Sequence, residues 1–166
     1  MEKRTGKALK YGDNINTDII SPPQYMELGI AEASAYAMSA VDPDFAKRVD
    51  AGDIFVAEQN LGSGSSRETS PLTLKYLGIS YVVAKSFARI FYRNCINVGI
   101  PALECPQTDR IQDGDRLAVD LKKGRIENLT RNESYHCETL PGHILKIIEA
   151  GGLFEYLKRG AERNFK

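Results

Sequence analysis

The chain has 166 residues, and its 22 Lys+Arg balance its 22 Asp+Glu. That length suits one domain over 1–166, able to bury about 70% of its unfolded surface without disulfide staples. A formal net charge of +0 argues against a nucleic-acid surface, which carries a basic excess, and no apolar run approaches the ~18 residues of a membrane span.

Gly6 to Lys10 can form a short strand, and Asp13-Asn14-Ile15-Asn16-Thr17-Asp18 is a polar turn cluster. Ser21-Pro22-Pro23 stops any regular element, because proline fixes φ and removes a donor. The alanine-rich run Ala31 to Ala40 predicts a helix. Asp42-Pro43 predicts another through Phe45 to Val49, with aspartate as N-cap and proline at the first helical position. Asp53 to Glu58 reads as a buried strand running straight into Gly62-Ser63-Gly64-Ser65-Ser66-Arg67-Glu68. Glu68 to Leu77 then reads as a helix closed by Gly78. Pro71 leaves two starts open, near Ser70 or at Ser66 with a bend. Tyr81 to Lys85 is a second apolar strand, Ala88 to Val98 a helix ended by Gly99, and Pro101 to Glu104 a third strand.

This alternation of strand and helix is the pattern of a parallel α/β unit. The last third differs. Arg116 to Leu121 and Arg125 to Leu129 alternate apolar and polar residues around Lys122-Lys123-Gly124, a hairpin signal. Ser134 to Thr139 reads as another strand, Pro141 to Glu149 as a helix, and Leu153 to Arg159 as a short terminal helix after Gly151-Gly152. The expected architecture is α/β, in three layers, with a mostly parallel central sheet and β-rich additions at the end.

The glycine loop carries the strongest chemical signal. Glycine lets backbone N–H groups approach an anion. Arginine grips a carboxylate with two parallel hydrogen bonds, and the hydroxyls of Ser65 and Ser66 can hydrogen-bond or, if activated, move a proton. Two readings fit: a site for a small carboxylate-bearing molecule, and a Gly/Ser loop closed by a surface arginine. The loop lacks the Lys-Ser/Thr pair of a nucleotide P-loop and the third glycine of a dinucleotide fingerprint. A serine nucleophile would want a histidine. Only His136 and His143 exist, in an expected strand and an expected helix turn, and both read as structural. Lys85 to Arg89 and Tyr92-Arg93-Asn94 place cations and amides just beyond a strand end, where ligands of α/β sheets gather, though helix capping also explains them. Cys95, Cys105 and Cys137 are spaced 10 and 32 residues apart, unlike zinc or iron–sulfur ligand runs. Their odd number and the polar first ten residues suit a reducing, cytoplasmic setting.

Taken together, three segments resemble, in order, the small subunits of the isopropylmalate isomerase (3-isopropylmalate dehydratase) family, the separate-chain version of aconitase's swivelling domain. They are Gly12 to Ile20, Gly64-Ser65-Ser66-Arg67-Glu68, and Ala84 to Asn94, followed by Asn97-Val98-Gly99-Ile100-Pro101. The resemblance implies an aconitase-type swivelling domain, three-layer β/β/α. It implies removal and re-addition of water on a hydroxy-di- or tricarboxylate, which moves the hydroxyl to the neighbouring carbon. By resemblance, Ser65 occupies the position of the catalytic base, Arg67 that of a substrate-carboxylate arginine and Asp18 that of an active-site aspartate, and Ser66 orients the loop or binds carboxylate. The family's [4Fe–4S] cluster, the Lewis acid on the leaving hydroxyl, is held by cysteines of a large subunit. The resemblance therefore implies that this chain binds no cofactor or metal and works only with that large catalytic subunit, in a heterodimer or heterotetramer.

The sequence departs from aconitase after Ile20, where Ser21 to Leu28 contains no arginine. In the family this loop chooses the substrate's variable group. Tyr25, Met26 and Leu28 suit an apolar group such as isopropyl, and Glu27, if it faces the site, would repel a third carboxylate, as in homoaconitate. Isopropylmalate, in leucine biosynthesis, is the favoured substrate. A homoaconitase or 2,3-dimethylmalate dehydratase small subunit stays open, as does a non-catalytic carboxylate-binding module. With prolines and polar residues in it, the loop has little to pack on and is expected to be mobile without the large subunit.

Overall fold

Short apolar runs set the frame. In the computed structural model, which describes residues 3–164, β2 (Ile54–Val56) and β3 (Tyr81–Ala84) are buried along their whole length. Strands covered on both faces read this way in parallel sheets. With β1 (Arg4–Lys10) and β4 (Ala102–Glu104) they form a parallel set in the order β4-β3-β2-β1. The register pairs Leu9 with Phe55, Phe55 with Val82 and Val83 with Leu103. The helices between them are α4 (Thr69–Leu77) and α5 (Arg89–Asn97).

The β-rich end continues the same sheet. β5 (Arg116–Asp120) pairs antiparallel with β1, and β6 (Arg125–Asn128) and β7 (Glu133–His136) follow as a meander. The described residues thus form one seven-stranded sheet, parallel on one side of β1 and antiparallel on the other. The sheet curls. Its two edge strands approach each other, the Glu138 N–H donating to the Glu104 carbonyl at 3.1 Å.

Several boundaries differ from expectation. Of Ala31 to Ala40 only the start is helical, within α2 (Ile30–Ser34). Met38, fully buried, takes φ 60 and sends its N–H to the carbonyls of Ile19 and Ile20, at 3.1 and 3.3 Å, so tertiary anchoring overrides alanine propensity. Asp42 does not cap the next helix, α3 (Phe45–Arg48). Its carboxylate is taken by the Tyr11 hydroxyl and Arg48 Nη1, both at 2.5 Å. The polar cluster Asp13 to Asp18 ends in one helical turn, α1 (Thr17–Ile20), because Asn16 Oδ1 accepts the Ile19 N–H at 2.8 Å. α4 starts at Thr69, which puts Pro71 in the first turn, where its missing N–H costs nothing. β7 ends at His136, three residues short of Thr139. α6 (Gly142–Ala150) begins after Pro141, and α7 (Leu153–Asn164) runs past Arg159.

Candidate active site

The loop between β2 and α4 is tied on both sides by backbone bonds. The Leu61 N–H donates to Ser86 O at 3.0 Å and the Ala88 N–H to Leu61 O at 2.9 Å, while the Gly62 N–H reaches Ile15 O at 2.8 Å. The segment after β3 and the Asp13–Asp18 cluster thus meet across the loop, beyond the carboxyl ends of the parallel strands, where ligands of such sheets gather. Gly62 has φ +86, and a Cβ there would lie 2.0 Å from Phe91 Cγ. Gly64 has φ +110, and its Cβ would lie 3.1 Å from Thr17 Oγ1. Both positions require glycine.

Ser65, Arg67 and Asp18 converge at the loop's exposed rim. Arg67 Nε–H donates to Ser65 Oγ at 2.8 Å, and Arg67 Nη2 to Asp18 Oδ1 at 2.8 Å. Arg67 Nη1 lies against Met26 Sδ. The Arg67 side chain is 29% exposed and that of Asp18 57%, so the pair faces solvent. Ser65 and Ser66 are exposed. The Ser66 carbonyl accepts from Asn94 Nδ2 at 3.0 Å, which clamps the loop to α5.

The floor of this rim is Thr17, 2% exposed. Its Oγ1 accepts the Ser65 N–H at 3.0 Å and lies 3.3 Å from Ser65 Oγ. Its N–H donates to Ser63 O at 2.9 Å, and its carbonyl accepts from Ser70 Oγ at 3.2 Å. Sequence reasoning singled out neither Thr17 nor Ser70 as a site residue, and it placed Asn94 among nearby cations and at the end of a family-like segment without giving it a role. The signal for Thr17 was its place between Asn16, the helix cap, and Asp18.

The segment Ser21–Leu28 packs better than its composition suggested. Pro22 is buried, Pro23–Tyr25 form a 3₁₀ turn, and the Tyr25 ring stacks on Tyr36 with centroids 3.8 Å apart at 9°. Tyr25, Met26 and Leu28, with Ile30, Leu72 and Thr73, line an apolar cavity of about 150 Å³ beside Arg67. Glu27 is exposed and does not line it. A larger open hollow, about 640 Å³, lies along α6 and α7 and includes none of the rim residues.

Lys85, a candidate cation, belongs to the scaffold. Its Nζ lies 3.2 Å from Glu58 Oε2 and 3.3 Å from Asp109 Oδ1. Glu58 also contacts Lys10 and accepts from Thr108 Oγ1 at 2.9 Å. Burial pushes the Glu58 carboxyl up, but Lys10, Thr108 and Lys85 together hold it below the ordinary range. His136 and His143 sit in β7 and α6 and are not bonded to Ser65. Among the described residues no group of three His, Cys, Asp or Glu is placed to hold a metal ion. Cys95, Cys105 and Cys137 are buried free thiols, and burial raises all three, Cys137 to about 12. No helix among the described residues is long and apolar enough to cross a membrane.

Residues 11–108 match the aconitase C-terminal domain family. The 3-isopropylmalate dehydratase small subunit of Methanosarcina acetivorans is 50% identical over 155 residues, covering 93% of this chain and 96% of the relative. The isopropylmalate/citramalate isomerase small subunit of Methanocaldococcus jannaschii is 49% identical over 156 residues, 93% of either chain. The crystal structure of a 3-isopropylmalate dehydratase chain from Methanocaldococcus jannaschii superposes with a TM-score of 0.93 at 43% identity, covering 98% of both chains.

Proposed function

This chain belongs to the family of 3-isopropylmalate dehydratase small subunits, built on the aconitase C-terminal domain, and on that premise we propose how its rim residues serve the reaction. The chain is the small subunit of a hydro-lyase that interconverts 2- and 3-isopropylmalate by dehydration and rehydration, in leucine biosynthesis. The observation that carries the site assignment is that the Arg67 guanidinium joins Ser65 Oγ and the Asp18 carboxylate, each by one 2.8 Å hydrogen bond, at an exposed rim.

Ser65 takes the proton from the carbon beside a carboxylate. Its Oγ, as alkoxide, forms the O–H bond as that C–H bond breaks. The released electron pair becomes the carbon–carbon double bond, and the hydroxyl on the neighbouring carbon leaves with its bonding pair, becoming water as it takes a proton from an acid supplied by the large subunit. Returning water to the other carbon moves the hydroxyl. A free serine hydroxyl is a very weak base, so the alkoxide needs charged donors in place before reaction. Arg67 Nε–H, already 2.8 Å from the oxygen, supplies one. The Nη edge of Arg67 grips a substrate carboxylate, and Asp18 holds the guanidinium in position until substrate arrives. Ser66 keeps the loop oriented, its carbonyl clamped by Asn94.

Among the described residues no set of three His, Cys, Asp or Glu comes together as ligands; following the family's pattern, the large subunit would hold the [4Fe–4S] group, which would supply Lewis acidity to the leaving hydroxyl. The rim is open, and the large subunit closes it, in a heterodimer or heterotetramer in the cytoplasm. The cavity walled by Tyr25, Met26 and Leu28 accepts the substrate's alkyl group, which favours isopropylmalate over a tricarboxylate such as homoaconitate.

The test is Ser65→Ala in the complex reconstituted with the large subunit, assayed on isopropylmalate, citramalate, dimethylmalate and homocitrate. Loss of a positioned base should lower kcat by about 10²–10⁴ with assembly intact. Near-normal turnover removes Ser65 from the reaction. Preference for homocitrate would transfer the chain to the homoaconitase class.

A further inference from the structure

Ser65 Oγ is reached by two hydrogen-bonding groups, and only one of them is charged. The other is the Thr17 hydroxyl, 3.3 Å away. A hydroxyl has one proton to give and can accept at its lone pairs. Thr17 Oγ1 already accepts the Ser65 N–H at 3.0 Å. Its own proton still needs an acceptor, and the oxygen bonded to it among the described residues is Ser65 Oγ. While Ser65 is protonated either hydroxyl can donate to the other. Once Ser65 is an alkoxide it has no proton, so Thr17 must donate.

The rest of Thr17 is fixed. Its N–H is bonded to Ser63 O at 2.9 Å, and its carbonyl accepts from the Ser21 N–H at 2.8 Å and Ser70 Oγ at 3.2 Å. Its side chain is 2% exposed, and β-branching stiffens χ1. Gly64 keeps the space open, since a Cβ there would stand 3.1 Å from Thr17 Oγ1. A buried donor held in this way needs no reorganisation when charge appears on its acceptor, and a buried hydrogen bond is worth more than one in water.

We propose that Thr17 is a positioning residue for the dehydration: its hydroxyl is the second donor to the Ser65 oxyanion, and the same oxygen anchors the Ser65 backbone. Arg67 and Thr17 then form a two-donor cradle supplied wholly by this chain, ready before a large subunit binds. The proposal rests on Ser65 as the proton-accepting group.

The test compares Thr17→Ser with Thr17→Ala in the reconstituted complex. Both lose the methyl, and they differ by the one oxygen. Thr17→Val, which fills the same space without the oxygen, repeats the comparison, and turnover is normalised to assembled complex. Removing one oxyanion donor should lower kcat by about 10²-fold in Thr17→Ala and Thr17→Val with KM little changed, and Thr17→Ser should recover most of it. Ser65→Ala, run alongside, separates the two claims. If Ser65→Ala turns over normally, the base assignment is wrong. If Ser65→Ala is dead while Thr17→Ala and Thr17→Val keep wild-type kcat, or lose only KM or yield of complex, the base assignment stands and the donor role of Thr17 is overturned.

Discussion

Replacing Gly62 with alanine should damage the site from beneath. Two costs can be read from the geometry. The residue sits at φ +86, a left-handed conformation that costs an L-side chain about 1–2 kcal/mol. The new Cβ would also lie 2.0 Å from Phe91 Cγ and 2.3 Å from its Cβ. Phe91 is only 2% exposed and cannot swing into solvent, so the ring must be pushed aside within the core. Overpacking of that kind costs about 1–3 kcal/mol. Together the loss is about 2–5 kcal/mol. For a chain of this size each kcal/mol moves Tm by about 2–4 °C, so thermal unfolding of the isolated subunit should fall by about 4–20 °C. The functional consequence passes through α5, where Asn94, one turn on from Phe91, clamps the Ser66 carbonyl at 3.0 Å. Displacement of that clamp by about 1 Å can cost 10²-fold in turnover. Phe91→Ala should partly relieve Gly62→Ala, and a double-mutant cycle should show at least about 1 kcal/mol of coupling. A Gly62→Ala protein melting within measurement error of wild type at full turnover, or an additive cycle, would refute the reasoning.

Two further substitutions probe charge. Arg67→Lys keeps the positive charge but cannot serve Ser65 and a carboxylate from one planar fork. Losing a charge-assisted hydrogen bond costs about 1.5–3 kcal/mol, so kcat/KM in the complex should drop by about 10–150-fold, and an unchanged value would remove the guanidinium geometry from the argument. Acid should weaken the fold through Glu58. Burial opposes its charge, but Lys10, Thr108 and Lys85 overcome this and lower its folded pKa. Its contribution is therefore full above the unfolded value near ~4.3 and is lost as pH falls through the lower folded value. Thermal melts between pH 7 and about pH 3 should fall less steeply for Glu58→Gln than for wild type, and parallel curves would contradict the sign.

The α/β frame was legible because buried parallel strands leave continuous apolar runs between glycine-ended helices, as at Ile54–Val56 and Tyr81–Ala84. The hairpin was legible because an antiparallel strand covered on one face alternates, as Ile126 and Asn128 do between exposed Arg125 and half-buried Glu127. What failed was decided by distant partners. Nothing local in Ala31 to Ala40 announces that Met38 will be drawn inward by the Ile19 and Ile20 carbonyls. Nothing near Asp42 announces Tyr11, 31 residues earlier, as the donor that takes its carboxylate from the cap. The site divides in the same way. Ser65, Ser66 and Arg67 are contiguous, so their convergence is nearly local. Thr17 reaches Ser65 across 48 positions and Asn94 reaches Ser66 across 28, so their roles appear only once β1 and β2 lie side by side and α5 returns over the loop.

On the proposed reading, the pairing of Arg67 in the free subunit lets one side chain serve both base and substrate. An exposed ion pair is worth about 0–1 kcal/mol, and Asp18, 57% exposed, makes one of this kind. Asp18 therefore aims the guanidinium without binding it so tightly that a substrate cannot take its place. On the proposed reading, a carboxylate gripping Nη1 and Nη2 displaces Asp18 from one nitrogen and Met26 from the other, while Nε stays on Ser65. The first displacement exchanges one carboxylate for another on the guanidinium and hands the Asp18 carboxylate, 57% exposed, back to water. The second moves the Met26 side chain, which also lines the apolar cavity. Recognition of the carboxylate and admission of the alkyl group are then a single event at Met26. A methionine suits that position, being flexible enough to repack around branched and unbranched groups. Met26→Ala should accordingly change KM more than kcat, and it should relax the preference among alkyl-substituted malates while leaving Ser65 in place. A fall in kcat at constant KM and unchanged preference would place Met26 outside the exchange.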